Sequence, residues 1–234
     1  RYTSSPNAAA APSNDTATAL PEWDLTDLYP AMDAAEVTDD LAAALSECAA
    51  FEEAHKGRLA ELAAGANGGA ALAAVIASYE AIDEKLGRLV SYAGLVYAGD
   101  TTDAKRSKFY GDVQDKLTAA TVHLLFFTLE LNHIEDSVME AALADPALAH
   151  YRPWIEDVRK ERRYQLDDQL ERLFHEKSVT SRGAFNRLFD ETMAALTVTI
   201  GEEKLTLEEA LNKLQDSSGE VRKQAAEALA AVFG

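Results

Sequence analysis

From about residue 31 onward, apolar side chains recur at steps of three and four, the period that places them on one face of an α-helix. Leu41, Leu45, Cys48, Glu52, His55, Leu59 and Leu62 follow this rhythm, and Gly57 is expected to break the helix before its last turns. A cleaner stripe of Leu72, Val75, Ile76, Tyr79, Ile82, Leu86, Leu89 and Val90 predicts a second helix reaching about Tyr97. Thr101 or Thr102 is the predicted cap of a long third helix carrying Phe109, Val113, Leu117, Leu124, Phe127 and Leu131. Around Val122 to Leu129 that helix is apolar on more than one face, so the segment is expected at the centre of the fold.

Proline placement supports the same reading. Pro6, Pro12, Pro21 and Pro30 come early, only Pro146 and Pro153 follow, and 31–145 and 154–234 contain none. Proline removes a backbone donor and clashes with the preceding turn, so these proline-free, Ala-, Leu- and Glu-rich stretches favour helices. Asp145-Pro146 and Arg152-Pro153 mark turns or short helices, with Pro153 suited to a first helical position before Trp154, Ile155 and Val158. Leu166, Leu170 and Leu173 predict another helix, as do Phe185, Leu188 and Phe189. The β-branched run Thr197-Val198-Thr199-Ile200, the turn Gly201-Glu202-Glu203 and Lys204-Leu205-Thr206 predict a small hairpin, which is the one strand signal. Thr206-Leu207-Glu208-Glu209 and Ser217-Ser218-Gly219-Glu220 both fit a capping box, and the last helix runs through Val221, Ala225, Leu229, Val232 and Phe233. The expected fold is therefore mainly α: a multi-helix antiparallel array with one hairpin near 197–206. Residues 1–21, rich in Ala, Ser, Thr, Asn and Pro without apolar period, read as a flexible leader. The helical region 22–234 divides into blocks of about 31–145 and 146–234.

Charge narrows the function classes. Lys+Arg 22 against Asp+Glu 40 leaves a net −18, which repels phosphate backbones and anionic membrane surfaces, so neither nucleic acid nor membrane is an expected partner. The imbalance is uneven: residues 1–150 carry 9 basic and 24 acidic side chains, and 151–234 carry 13 and 16. Cys48 is the single cysteine, which excludes an internal disulfide and a cysteine-based zinc knuckle and suits a cytoplasmic location. No apolar run reaches the ~18 residues of a membrane span.

Candidate chemistry is sparse. His175-Glu176-Lys177-Ser178-Val179 opens like a zincin helix, but Val179 stands where the second imidazole belongs, and valine cannot ligate zinc. Glu52-x-x-His55 and Glu130-x-x-His133 repeat the unit that di-iron bundles use twice. That chemistry needs two further buried glutamates, for which the 72–97 helix offers only Glu80 and Glu84, so solvated helix ends are the preferred reading of the motif. Arg159-Lys160-Glu161-Arg162-Arg163 is either a salt-bridged helix face or a receptor for a peptide carboxylate. Gly65-Ala66-Asn67-Gly68-Gly69 lacks a following Lys-Ser/Thr and follows no strand, so it reads as an interhelical loop. No position qualifies as catalytic, cofactor-binding or metal-ligating.

The phrase Trp23-Asp24-Leu25-Thr26-Asp27-Leu28-Tyr29-Pro30 resembles the opening of oligoendopeptidase F proteins, members of the M3 family of zinc metallopeptidases. Later phrases follow in the same order: Tyr164-Gln165-Leu166 with Glu171, Ala184 to Glu191, the hairpin, Thr206 to Leu211, and Val221 to Ala226. The resemblance covers about 22–234. It implies a helical N-terminal region that walls off a deep cleft and admits short peptides, packed against its own C-terminal catalytic domain. In that domain a His-Glu-x-x-His motif and a downstream glutamate bind zinc and activate water. This motif does not occur in the chain, so none of its residues carries over and the chain alone is expected to be inactive. An apolar surface built for the missing portion is expected on the last helices. A freestanding helical interaction module is the alternative.

Overall fold

The computed structural model describes residues 23–234. The predicted leader, 1–21, lies outside the described residues. The order of elements begins α1 (Ala35–His55), α2 (Leu59–Ala64), α3 (Gly68–Gly99) and α4 (Ala104–Thr121). After a 3₁₀ turn at Val122–Leu124 come α5 (Leu125–His133), α6 (Asp136–Ala142), α7 (Pro146–Ala149) and α8 (Arg152–Lys160). A second 3₁₀ turn at Glu161–Tyr164 leads to α9 (Asp168–Ser178), a π-helical segment at Val179–Gly183 and α10 (Ala184–Ala195). The hairpin β1 (Thr197–Ile200) and β2 (Glu203–Thr206) then precedes α11 (Leu207–Lys213) and α12 (Gly219–Phe233). The fold is mainly α with one small antiparallel hairpin, in which Val198 faces Leu205 and Ile200 faces Glu203.

The main core lies among α1, α3, α4 and α5, where the predicted stripes meet. Phe127 on α5 is fully buried and its ring lies 5.2 Å from Phe51, 4.6 Å from Tyr79 and 6.2 Å from Trp154. These contacts bring α1, α3, α5 and α8 onto one aromatic cluster, which is why the apolar Val122–Leu129 segment is central. The opening phrase has a structural task in this core. Asp24 accepts hydrogen bonds from the Thr26 amide and hydroxyl, turning the chain, and Tyr29 is buried against Tyr92. The Tyr29 hydroxyl donates to Asp40 on α1 at 2.8 Å and accepts from Arg88 Nε on α3 at 3.1 Å.

Gly57 ends the first stripe as predicted, with φ +77°, a conformation that side chains oppose. Its amide donates to Glu130 Oε1 at 2.6 Å, tying the α1–α2 turn to α5. The glycine-rich loop owes its composition to packing: a Cβ at Gly69 would lie 2.3 Å from the Asp145 Cβ and 2.4 Å from the Ala142 carbonyl oxygen. Only glycine lets α3 start so close to α6 and α7.

Four boundaries differ from the sequence expectation. The cap of α4 is Asp103, whose carboxylate accepts from the Lys105 and Arg106 amides, while Thr102 instead donates to Asp100. The predicted long helix to Leu131 is interrupted by the 3₁₀ turn at Val122–Leu124. Tertiary packing of Leu124, Phe126 and Phe127 decides that break, because nothing in local propensity demands it. Arg152 is the first residue of α8, so Pro153 takes the second position. Ser218, not Ser217, caps α12 and accepts from the Val221 amide. The Thr206–Glu209 capping box is present with both reciprocal bonds.

Beyond α8 the character changes. α9, the π segment and α10 contain no buried residue. The hairpin and the last two helices have a separate small core of Val198, Ala210 and Leu229.

Candidate functional site

A groove of about 340 Å³ runs between α4 and the helical rod formed by α9, the π segment and α10. The helical period of α4 places Tyr110, Gln114, Leu117, Thr118 and Thr121 along one wall, at steps of four, three, one and three. The other wall follows from Ser178, Val179, Arg182, Gly183, Asn186, Arg187 and Asp190, and Val90 of α3 also lines the groove. The π segment adds a residue to a turn, and such bulges cost stability and recur where helices carry function. His175 fastens the rod to α4, its Nε2 lying 2.9 Å from Thr121 Oγ1. At the far end Glu191 accepts from Ser107 Oγ at 3.0 Å, which ties α10 to the start of α4.

Thr121 and Ser178 in the lining are engaged with His175, and several of its other polar side chains are not. Arg182, Gln114, Thr118 and Asn186 make no side-chain hydrogen bond to another described residue. Arg187 approaches Glu191 only to 4.0 Å, and its guanidinium lies against α4 at Gly111, where a Cβ would meet Nη1 at 3.0 Å. Behind Tyr110, whose ring stacks on Tyr97 at 4.8 Å and 7°, the Tyr97 hydroxyl is buried without a partner. Burial pushes its phenol above the ordinary range, and Asp190 and Glu191 push the same way while Arg187 opposes them.

The opposite character appears on the outer face of the rod. Leu170, Leu173, Phe174, Phe185, Leu188 and Phe189 are exposed, with Phe185 at 71% and Phe189 at 63%. These six large apolar side chains recur at steps of three and one on each of two successive helices, the spacing of one helix face, and exposed apolar faces of that kind mark interfaces.

The candidates singled out by sequence fall elsewhere. Glu176 pairs with Arg172, and His175 packs toward Thr121, so the zincin-like opening serves the rod's attachment. Glu52 bridges Lys56 at 2.6 Å and His123 Nδ1 at 2.5 Å, whereas Glu130 accepts the Gly57 amide. His55 packs its ring against Phe51 at a tilt of 60°, His133 meets Gln165, and Glu80 accepts from Tyr151. The two Glu-x-x-His units are thus spent on separate contacts. Among the described residues no group of three or more His, Cys, Asp and Glu side chains is placed to hold a metal ion. The basic cluster is salt-bridged: Arg159 donates to the Leu131 and Ile134 carbonyls at the end of α5, and both Arg159 and Arg162 pair with Asp136. Lys160 pairs with Asp157, and Arg163 lies over the Tyr164 ring. The groove itself was missed, because Arg182 and Arg187 are unremarkable until the π segment sets them beside α4.

Comparison with known proteins bears on this half of the molecule. Residues 130–197 match the N-terminal family model of the M3 peptidases, described as oligopeptidase F. The chain is similar to the N-terminal region of oligoendopeptidase F. That match runs from α5 to the first residue of β1, and so contains the rod, its apolar face and one wall of the groove. The crystal structure of oligoendopeptidase-F from Enterococcus faecium superposes on 85% of this chain with a TM-score of 0.69 at 19% identity, which is a likeness of fold. A putative peptidase from Chlamydophila abortus aligns over 90% of the chain with 21% identity and a TM-score of 0.49. The chain spans 39% and 35% of the lengths of those two proteins. No curated protein matches it. Among the described residues no helix is long and apolar enough to cross a membrane.

Proposed function

We propose that this chain is the N-terminal helical portion of a zinc-dependent oligoendopeptidase, a cytoplasmic enzyme that hydrolyses short peptides. The observation that carries the reading is the coincidence of the oligopeptidase F match, residues 130–197, with the exposed apolar face of α9 and α10. Covering a face that carries Phe174, Phe185 and Phe189 would contribute about 25 cal/mol for each Å² of apolar surface removed from water. Its occupant in this reading is the remainder of the polypeptide, the catalytic domain, which would supply the zinc ligands. The helical portion then walls the substrate cleft and is inactive alone.

The test is an assay of fluorogenic oligopeptides with the 234-residue chain and with the longer gene product, each with and without chelator. The expected result is chelator-sensitive cleavage by the longer protein only. Chelator-sensitive cleavage by the chain itself, or a gene that encodes no zinc site beyond Gly234, overturns the reading. The second reading, a freestanding helical interaction module, draws on the same exposed face, and partners unrelated to peptidases would favour it.

A further inference from the structure

We propose that the groove between α4 and the Val179–Gly183 π segment binds the carboxylate end of a peptide, with Arg182 and Arg187 as the clamp. The proposal takes its ligand class, a peptide, from the reading above; the site itself stands on the geometry of the groove. A space of about 340 Å³ falls at the lower end of small-ligand sites and suits the last two or three residues of a chain. Two guanidinium groups line it, one without a side-chain partner and the other only loosely engaged by Glu191 at 4.0 Å. Guanidinium is the side chain whose planar fork matches a carboxylate with two parallel hydrogen bonds.

The rest of the lining fits a peptide better than a bare anion. Gln114 and Asn186 carry amides that both donate and accept, and Thr118 carries a hydroxyl. Facing one another across the groove, they match the alternating N–H and C=O groups of a bound backbone. Asp190 at the same wall opposes a free anion and accepts a peptide N–H, which orients the chain with its carboxylate toward the arginines. Leu117, Val179 and Val90 add apolar lining that small side chains can contact. The π segment is what places Arg182 and Arg187 on the groove together, since it shifts the register of α10 relative to α9 by an inserted residue. The bulge thus has a use that offsets its cost.

The experiment is a titration of the isotopically labelled 234-residue chain, followed by backbone amide resonances, with four probes. They are acetyl-Ala-Ala-Ala with a free C-terminal carboxylate, the same peptide as its amide, an amidated peptide with one glutamate side chain, and sodium phosphate. The expected result is movement of Gln114, Thr118 and the 182–187 amides by the free-acid peptide, with the amide about tenfold weaker or worse. Arg182→Gln and Arg187→Gln each weaken the free-acid peptide about tenfold, and Arg172→Gln, which pairs with Glu176 and does not line the groove, leaves it unchanged. Equal binding of acid and amide overturns the proposal. So does an equal response to phosphate or to the glutamate side chain, and so does no response at about 10 mM peptide. Should one arginine variant lose its native spectrum, the other and Asn186→Ala supply the same comparison. Binding is read without turnover, so an inactive longer protein would sink the peptidase reading alone, and a silent titration with an active one would sink this site alone.

Discussion

At the scale of single residues, burial without a partner and burial with one have opposite consequences. The Tyr97 hydroxyl is enclosed beside Asp190, Glu191 and Arg187 yet bonds to nothing, and an unmet buried hydroxyl costs about 1–3 kcal/mol. Tyr97→Phe keeps the stack on Tyr110 and removes the orphan, so thermal unfolding should show Tm unchanged or raised by a few degrees. Tyr29 is the contrast: burial and its bond to Asp40 push its phenol up to about 12, and loss of the hydroxyl would remove one hydrogen bond each from Asp40 and Arg88, which would keep their ion pair with one another. Two partly buried groups on α1 contribute to the acid limb of stability. Burial, with help from Arg58, holds His55 below the ordinary imidazole value; Glu52, though burial raises it, is held below the usual carboxylate range by Lys56 and His123. In both cases the unfolded chain binds protons more readily. Their stabilisation is present above the unfolded values and is lost as pH falls, first below about 6.5 and then below about 4.3. Urea unfolding at stepped pH should show this two-stage loss, and His55→Gln should remove the upper stage; a flat profile between pH 7 and 5 would contradict the assignment.

At the scale of elements, the helices are fixed by caps and close approaches that local sequence only partly reveals. Asp103 closes two orphan amides of α4, so Asp103→Ala should cost about 1 kcal/mol in chemical denaturation, while Thr101→Ala should cost little. The sequence placed a cap at this point but chose the wrong residue, because Asp100, Thr101, Thr102 and Asp103 all suit the role and only the chain path decides among them. The interruption at Val122–Leu124 was likewise hidden, since an apolar run on several faces is compatible with one helix or two. The hairpin was legible, because β-branched residues around Gly201 admit little else, and Gly201 indeed has φ +64°. The π segment had no readable signal: its pattern of Ser, Val, Thr and Arg is ordinary, and its register comes from the contacts of its flanks with α4.

At the scale of the whole molecule, two surfaces with different duties share one rod: a polar groove inward against α4 and an apolar face outward. Replacing Phe185 and Phe189 by serine should change the stability of the 234-residue chain by about 0.5 kcal/mol or less and reduce its self-association in sedimentation. In the longer protein of the proposed reading the same pair should lower Tm by several degrees, since that reading buries those rings against a catalytic domain. An equal, negligible effect in both proteins would mean that nothing covers the face. The sequence by itself determined the mainly helical class, the central position of the Val122–Leu129 segment, the break at Gly57, the hairpin, and the resemblance to oligoendopeptidase F, because periodicity, glycine and proline are local properties of the chain. Only the tertiary structure decided that Glu52, Glu130, His55 and His133 are consumed by separate contacts, and that Arg182 and Arg187 share a groove with Gln114 and Thr118. The physical reason is distance along the chain: about seventy residues separate the two walls, and no spacing rule reaches across them until packing brings the helices together.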